Sequence, residues 1–96
     1  MASIKPLRAR ITAALAKRHI AEALRASAEL LERGADNSEN WHIGAHAALL
    51  AGKIPLALTR AIRASELAPT DLTLRSHLAL IHASAGQSEQ ALGLIK

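Results

Sequence analysis

Apolar residues recur three or four positions apart along almost the whole chain, which is the spacing of one face of an α-helix. Leu7, Ile11 and Leu15 form one such series. Strict alternation of apolar and polar positions, which would indicate strands, is missing. The pattern therefore predicts an all-α protein with about six helices, near residues 4–17, 20–33, 38–51, 55–67, 72–85 and 88–96.

The helical pattern repeats at a fixed interval along the chain. The dipeptide Ala-Leu begins at positions 23, 57 and 91, and Ala-Gly begins at positions 51 and 85. Successive copies are 34 residues apart, and we call this interval the repeat period. In its register Gly52 and Gly86 fall at the turn between two helices, and Pro55 falls in the first turn of a helix, where its missing N–H does no harm. The chain therefore divides into three helical hairpins of one domain, at about 4–37, 38–71 and 72–96, the last of them incomplete.

Composition limits how these hairpins can pack. The chain has 96 residues, half of them apolar, but it has no Phe, Tyr or Cys. We expect one small domain with a core of Leu, Ile and Ala. The lack of cysteine excludes disulfides and cysteine-based zinc sites and allows a reducing compartment, so we expect a cytoplasmic protein. No apolar run approaches the roughly 18 residues that a membrane span needs.

The middle unit resembles the tetratricopeptide repeat, a helical hairpin of about 34 residues whose length agrees with the repeat period. It has that family's landmark residues at the family's spacing, namely Trp41, Gly44, Ala45, Gly52, Ala57, Ala61 and Pro69. The third unit keeps another set, namely Leu78, Ala79, Gly86, Ala91 and Ile95. The first unit is the most degenerate, because Arg18 replaces the turn glycine.

This resemblance implies a right-handed α-solenoid of three helix-turn-helix hairpins that acts as a protein-interaction scaffold. The first helix of each hairpin would line a concave groove that binds a peptide or a helix of a partner. The residues expected to contact the ligand are Arg8, Thr12, Glu39, His42, His46, Thr73 and His77. Such a groove is cationic at one end and rich in histidine in the middle, so we expect an acidic peptide as ligand. It should also gain positive charge below about pH 6.5.

The same register makes two predictions about packing. Trp41 stands at a large apolar landmark, so we expect it to pack between the two helices of its repeat. His82 stands at a site that usually packs inside, so we expect a buried histidine there. The positions where the family usually has an aromatic residue hold Ala48, Ala61 and His82, which would let the helices within a repeat approach each other more closely.

A metal site is a second interpretation of the histidines. Glu39, His42 and His46 share one helix face, and His77 could approach from the next repeat, which gives four candidate ligands for zinc. However, two histidines four residues apart without the Glu of HExxH are a weak signal. We therefore favour histidines that are structural or that contact a peptide, with no cofactor.

The third unit stops at Lys96, inside its second predicted helix. Terminal repeats of solenoids normally need a polar cap, and the sequence supplies none here. We expect either the N-terminal part of a longer protein or a homo-oligomer in which another copy covers the last helix. Repeats of this kind also occur joined to bacterial transferase domains such as sulfotransferases, so an accessory domain of a transferase is one alternative.

The basic charge raises nucleic-acid binding as a second alternative. The net charge is +4, and positions 1–25 carry six basic residues against a single acid, Glu22. Related helical repeats bind single-stranded RNA, but stacking aromatic residues are missing here apart from one tryptophan. We therefore favour peptide binding over nucleic-acid binding. No nucleophile elbow, phosphate loop or paired acidic motif is present, so we expect no enzyme activity.

Overall fold

A computed structural model describes residues 5–91 of the chain, with side chains described for residues 6–86. Within this range the protein is all helical, as predicted, and has no strand. Its helices are α1 (Lys5–Ala16), α2 (Ile20–Arg33), α3 (Ser38–Leu50), α4 (Ile54–Leu67) and α5 (Leu72–Ala91). Each helix packs against the next one along the chain, and α1 also contacts α3.

The repeat period found in the sequence recurs in the helix boundaries. Helix α4 begins and ends one period after α2, α3 ends one period after α1, and α5 begins one period after α3. The α1–α2 and α3–α4 turns are also built alike. Arg18 (φ 64°) and Gly52 (φ 75°) both adopt the left-handed conformation that ends a helix. Their amides donate to the carbonyls of Leu15 and Leu49, at distances of 3.1 Å and 3.0 Å.

Short polar side chains start the first helices of the later repeats. The Asn37 side chain accepts hydrogen bonds from the amides of Glu39 and Asn40 at the start of α3. The Asp71 side chain accepts one from the amide of Leu74 at the start of α5, at 3.2 Å. These caps satisfy amides that have no partner inside the helix, so they fix where α3 and α5 begin.

The core consists of two connected groups of small and aliphatic side chains. The first lies between α1 and α2 and contains Leu7, Ile11, Ala14, Ala23, Ala26 and Leu30. The second lies between α3, α4 and α5 and contains Ala45, Ala48, Ala57, Ala61 and Ile81. Ile43 of α3 packs against the first group, and Leu24 of α2 packs against the second, so the two groups join the hairpins.

The predicted turn at Gly86 is wrong, because α5 continues through it to Ala91. Glycine permits a turn but does not compel one, and inside a helix it costs only about 1 kcal/mol relative to alanine. At the corresponding turn of the second hairpin, Pro55 follows Gly52 and is tolerated only in the first turn of a helix, so the preceding helix must end before it. The sixth predicted helix (88–96) therefore begins as a continuation of α5, and its residues after 91 lie outside the described range.

Two predictions about buried side chains are also wrong. His82 is exposed, because the helix that was expected to cover it continues α5 instead. Trp41 is only partly buried and belongs to neither core group. Its indole nitrogen donates a hydrogen bond to the carbonyl of Ala35 at 2.6 Å, which joins the ring to the α2–α3 turn.

Candidate ligand-binding groove

Two cavities lie next to each other along α3. The first has a volume of about 370 Å³ and is lined by Thr12, Leu15, Ala16, His42, Ile43, His46 and Leu50, from α1 and α3. The second has a volume of about 440 Å³ and is lined by Asn37, Ser38, Glu39, His42, Asp71, Thr73 and Leu74, from α3 and the start of α5. His42 lines both cavities, so they adjoin. We call the two cavities together the groove.

The structure brings all seven predicted contact residues to this groove. Five of them line it, namely Thr12, Glu39, His42, His46 and Thr73. The other two contact residues that line it, since Arg8 pairs with Glu39 and the ring of His77 contacts the rings of His42 and His46. All seven belong to α1, α3 or α5.

Three histidines form a cluster where the two cavities meet. The ring centroids of His42 and His77 are 4.6 Å apart with the rings edge to face, and those of His46 and His77 are 5.9 Å apart. Nδ1 of His42 and both ring nitrogens of His77 are buried and have no hydrogen-bond partner among the described residues. An imidazole in such a place keeps its neutral form, because charging it would remove a cation from water without a partner.

Burial, together with the neighbouring His42 and His46, lowers the pKa of His77 to about 4. Burial also lowers the pKa of His42, helped by His46 and opposed by the carboxylates of Asp71 and Glu39. The expectation that the groove gains positive charge below about pH 6.5 is therefore wrong for His42 and His77. Both are neutral at neutral pH, and His77 stays neutral until the solution is strongly acidic.

The cationic end predicted at Arg8 is largely neutralised. The Arg8 Nε donates to Oδ1 of Asn40 at 2.7 Å, and its Nη1 lies 3.5 Å from a carboxylate oxygen of Glu39. Asn40 is fully buried, and its Nδ2 donates to the carbonyl of Gly34 at 3.1 Å. Arg8 thus joins α1 to the start of α3, and its charge is shared with a carboxylate instead of being free for a ligand.

The four candidate metal ligands differ in the side chains that they contact. Glu39 is engaged with Arg8, whereas His42, His46 and His77 contact one another through their rings. Within the described part of the chain, no group of three or more His, Cys, Asp or Glu side chains is placed to hold a metal ion.

Arg60 is a buried residue that the sequence analysis missed. Only 8% of it is exposed, and its Nη1 donates to Oγ of Ser27 and to the carbonyl of Gly44, both at 3.0 Å. Gly44 leaves room for this contact, because a Cβ there would lie 3.1 Å from Leu31 and 3.4 Å from Arg60. Arg60 therefore connects α4 with both α2 and α3. One signal in the sequence could have indicated its burial. Arg60 stands at helical spacing from Ala57 and Ala64, which lie on the buried face of α4.

Comparisons with protein-family models, with curated proteins and with solved structures found no match to this chain. Among the described residues, no helix combines the length and the apolar character needed to cross a membrane. The repeat landmarks and the geometry of the groove are thus the observations on which a function can be argued.

Proposed function

We propose that the chain is a right-handed array of three tetratricopeptide-like hairpins and that its groove binds a peptide or helical segment of a protein partner. The repeated helix boundaries and the matching turns at Arg18 and Gly52 support the repeat assignment. The module acts by binding rather than by catalysis. A cytoplasmic site of action belongs to the same proposal, since the chain has no cysteine that an oxidising compartment would pair.

The observation that carries this proposal is the first cavity of the groove. Its walls come from the C-terminal half of α1 and from α3, and they include the aliphatic side chains of Leu15, Ile43 and Leu50. Leu50 is 45% exposed. A concave apolar site with a few polar groups at its edge is the usual form of a binding pocket for a partner's side chain. The neutral His42 in its lining adds a polar group without a charge that would have to be desolvated.

Selection from a random peptide library tests this function. Peptides of about twelve residues, long enough to span the groove in extended form, would be selected on the immobilised protein. Their affinities would then be measured by fluorescence anisotropy. Leu50→Glu places a charge in the first cavity, and Thr12→Trp fills it from an exposed position. We expect each change to weaken the selected peptides by about tenfold or more, which corresponds to about 1.4 kcal/mol.

Ile62→Glu is the matched control, because Ile62 is 39% exposed and lies on α4, outside the residues that line the groove. It should leave the affinity unchanged. Selected peptides that bind both groove variants as tightly as the unaltered protein would show that they bind elsewhere and would contradict the proposed function. Circular dichroism of each variant confirms that the helices are intact.

A further inference from the structure

Three basic residues follow the helix ends that line the first cavity. Leu15 and Ala16 end α1, and Leu50 ends α3, yet all three line the same cavity. The turns that follow these helices carry Lys17 and Arg18 after α1, and Lys53 after α3. We call Lys17, Arg18 and Lys53 the basic mouth. Each lies within three positions of a side chain that lines the apolar cavity.

The charges of the basic mouth are available to a ligand. Lys17, Arg18 and Lys53 are exposed, and none of them forms an ion pair within the part of the chain that the structure describes. The nearest acid in sequence, Glu22, lines a different cavity together with Arg10 and Arg25 of α1 and α2. Basic residues near helix ends also stabilise the helix dipole, so Lys17 and Lys53 alone would not indicate a ligand.

Arg18 is the residue that the fold does not explain. It occupies the left-handed position (φ 64°) that glycine occupies at the equivalent turn, where Gly52 has φ 75°. A side chain with a Cβ is disfavoured in this conformation, whereas glycine adopts it freely. The turn at Arg18 is therefore less stable than a glycine there would make it. Backbone strain of this kind is found where a side chain has a function.

The opposite end of the groove has the opposite charge. Glu39 and Asp71 line the second cavity, and Arg8, 3.5 Å from Glu39, offsets one of these two negative charges. Along α3, Leu50 follows Glu39 by eleven positions, or about 16 Å at about 1.5 Å per residue. An extended peptide covers this distance in about five residues, since each residue spans about 3.3 Å.

We propose that the groove binds its peptide in one orientation. Acidic residues of the partner lie at the basic mouth, and an aliphatic side chain enters the first cavity. A basic or neutral residue about five positions away lies at Glu39 and Asp71. This inference rests on the proposed function and specifies its partner. Charge complementarity at both ends carries it, because a reversed peptide would place like charges together at each end.

The library selection described above provides the ligands for the test. Groove-dependent peptides should be enriched in an aliphatic residue with one or more acidic residues within about three positions on one side. The variant Lys17→Ser/Arg18→Gly/Lys53→Ser should bind them at least about tenfold more weakly, since three exposed ion pairs, each worth a factor of about two to five, multiply together. The matched control, Arg75→Ser, removes an exposed base of α5 that does not line the groove and should leave affinity unchanged.

The single change Arg18→Gly separates folding from binding. It should raise the melting temperature, because glycine relieves the left-handed turn, while weakening the acidic peptides by about threefold. If the melting temperature rises and the affinity does not change, Arg18 has no role in binding and the inference is wrong.

The remaining outcomes separate this inference from the proposed function. Peptides that depend on Leu50 but lack acidic residues, or that ignore the triple variant, overturn the directional inference and leave groove binding intact. The absence of any groove-dependent peptide overturns both. A single-stranded oligonucleotide that competes with the peptides, binds more tightly and depends on the same three residues would assign the basic mouth to nucleic acid and overturn the inference.

Discussion

Replacing His77 with leucine tests how the histidine cluster contributes to stability. In the folded protein both ring nitrogens of His77 are buried and unpaired among the described residues, and the groups facing its ring are the bases His42 and His46. Leucine has a similar volume and no polar atoms. At pH 7 we therefore expect His77→Leu to be as stable as the unaltered protein or more stable by up to about 1 kcal/mol.

The difference should grow in acid. The pKa of His77 is about 4 when the protein is folded, against 6.5 in an unfolded chain, so the unfolded state binds the proton more tightly. The stability that depends on neutral His77 is complete above about pH 6.5 and is lost as the pH falls towards 4. The full shift would correspond to about 3.4 kcal/mol, and solvent screening of this half-buried ring reduces it to about 1–2 kcal/mol.

Urea unfolding followed by circular dichroism at several pH values between 7 and 4 measures this effect. The free-energy difference between His77→Leu and the unaltered protein should increase by about 1–2 kcal/mol over that range. His82→Leu is the control, because His82 is an exposed histidine of the same helix. A difference that stays constant with pH, or that grows equally for His82→Leu, would refute the assignment of a buried neutral imidazole at position 77.

Three further substitutions test the packing around the groove, each by urea unfolding at neutral pH. Arg60→Ala should cost about 2–3 kcal/mol, because it removes the two buried hydrogen bonds that Arg60 donates to the Ser27 hydroxyl and the Gly44 carbonyl; a cost below about 0.5 kcal/mol would mean that these contacts contribute nothing. Trp41→Ala should cost about 1–2 kcal/mol, less than the roughly 3–5 kcal/mol of a fully buried tryptophan, and a larger loss would contradict its partial exposure. Gly52→Ala should cost about 1 kcal/mol because of its positive φ, and no loss would argue against the left-handed turn.

Much of the fold could be predicted from the sequence because its signals are local. The predicted starts of the helices at residues 20, 38 and 72 agree with the structure, since periodic apolar residues and capping side chains such as Asn37 and Asp71 act within one turn. Gly86 misled the prediction because a glycine marks only where a turn is permitted. The compelling signal, a following proline, is present at Pro55 and missing after Gly86.

The site could be predicted in outline but not in its charges. The repeat register brought His42, His46 and His77 together correctly, because the repeat period fixes which helix faces align. The partners of Arg8 and Arg60 lie 31 to 33 residues away in sequence, or on a backbone carbonyl, so no local pattern reveals them. The lowered pKa values likewise follow from burial, which depends on how the helices pack.

The most direct test of the groove is a titration of the ¹⁵N-labelled protein with a selected peptide, followed by NMR. Binding in the groove predicts amide shifts concentrated at residues that line it, such as Thr12, Ile43, His46 and Leu50, with little change at the separate cavity lined by Arg10, Arg25 and Glu29. Shifts concentrated at that separate cavity, with the groove residues unchanged, would contradict the proposed function.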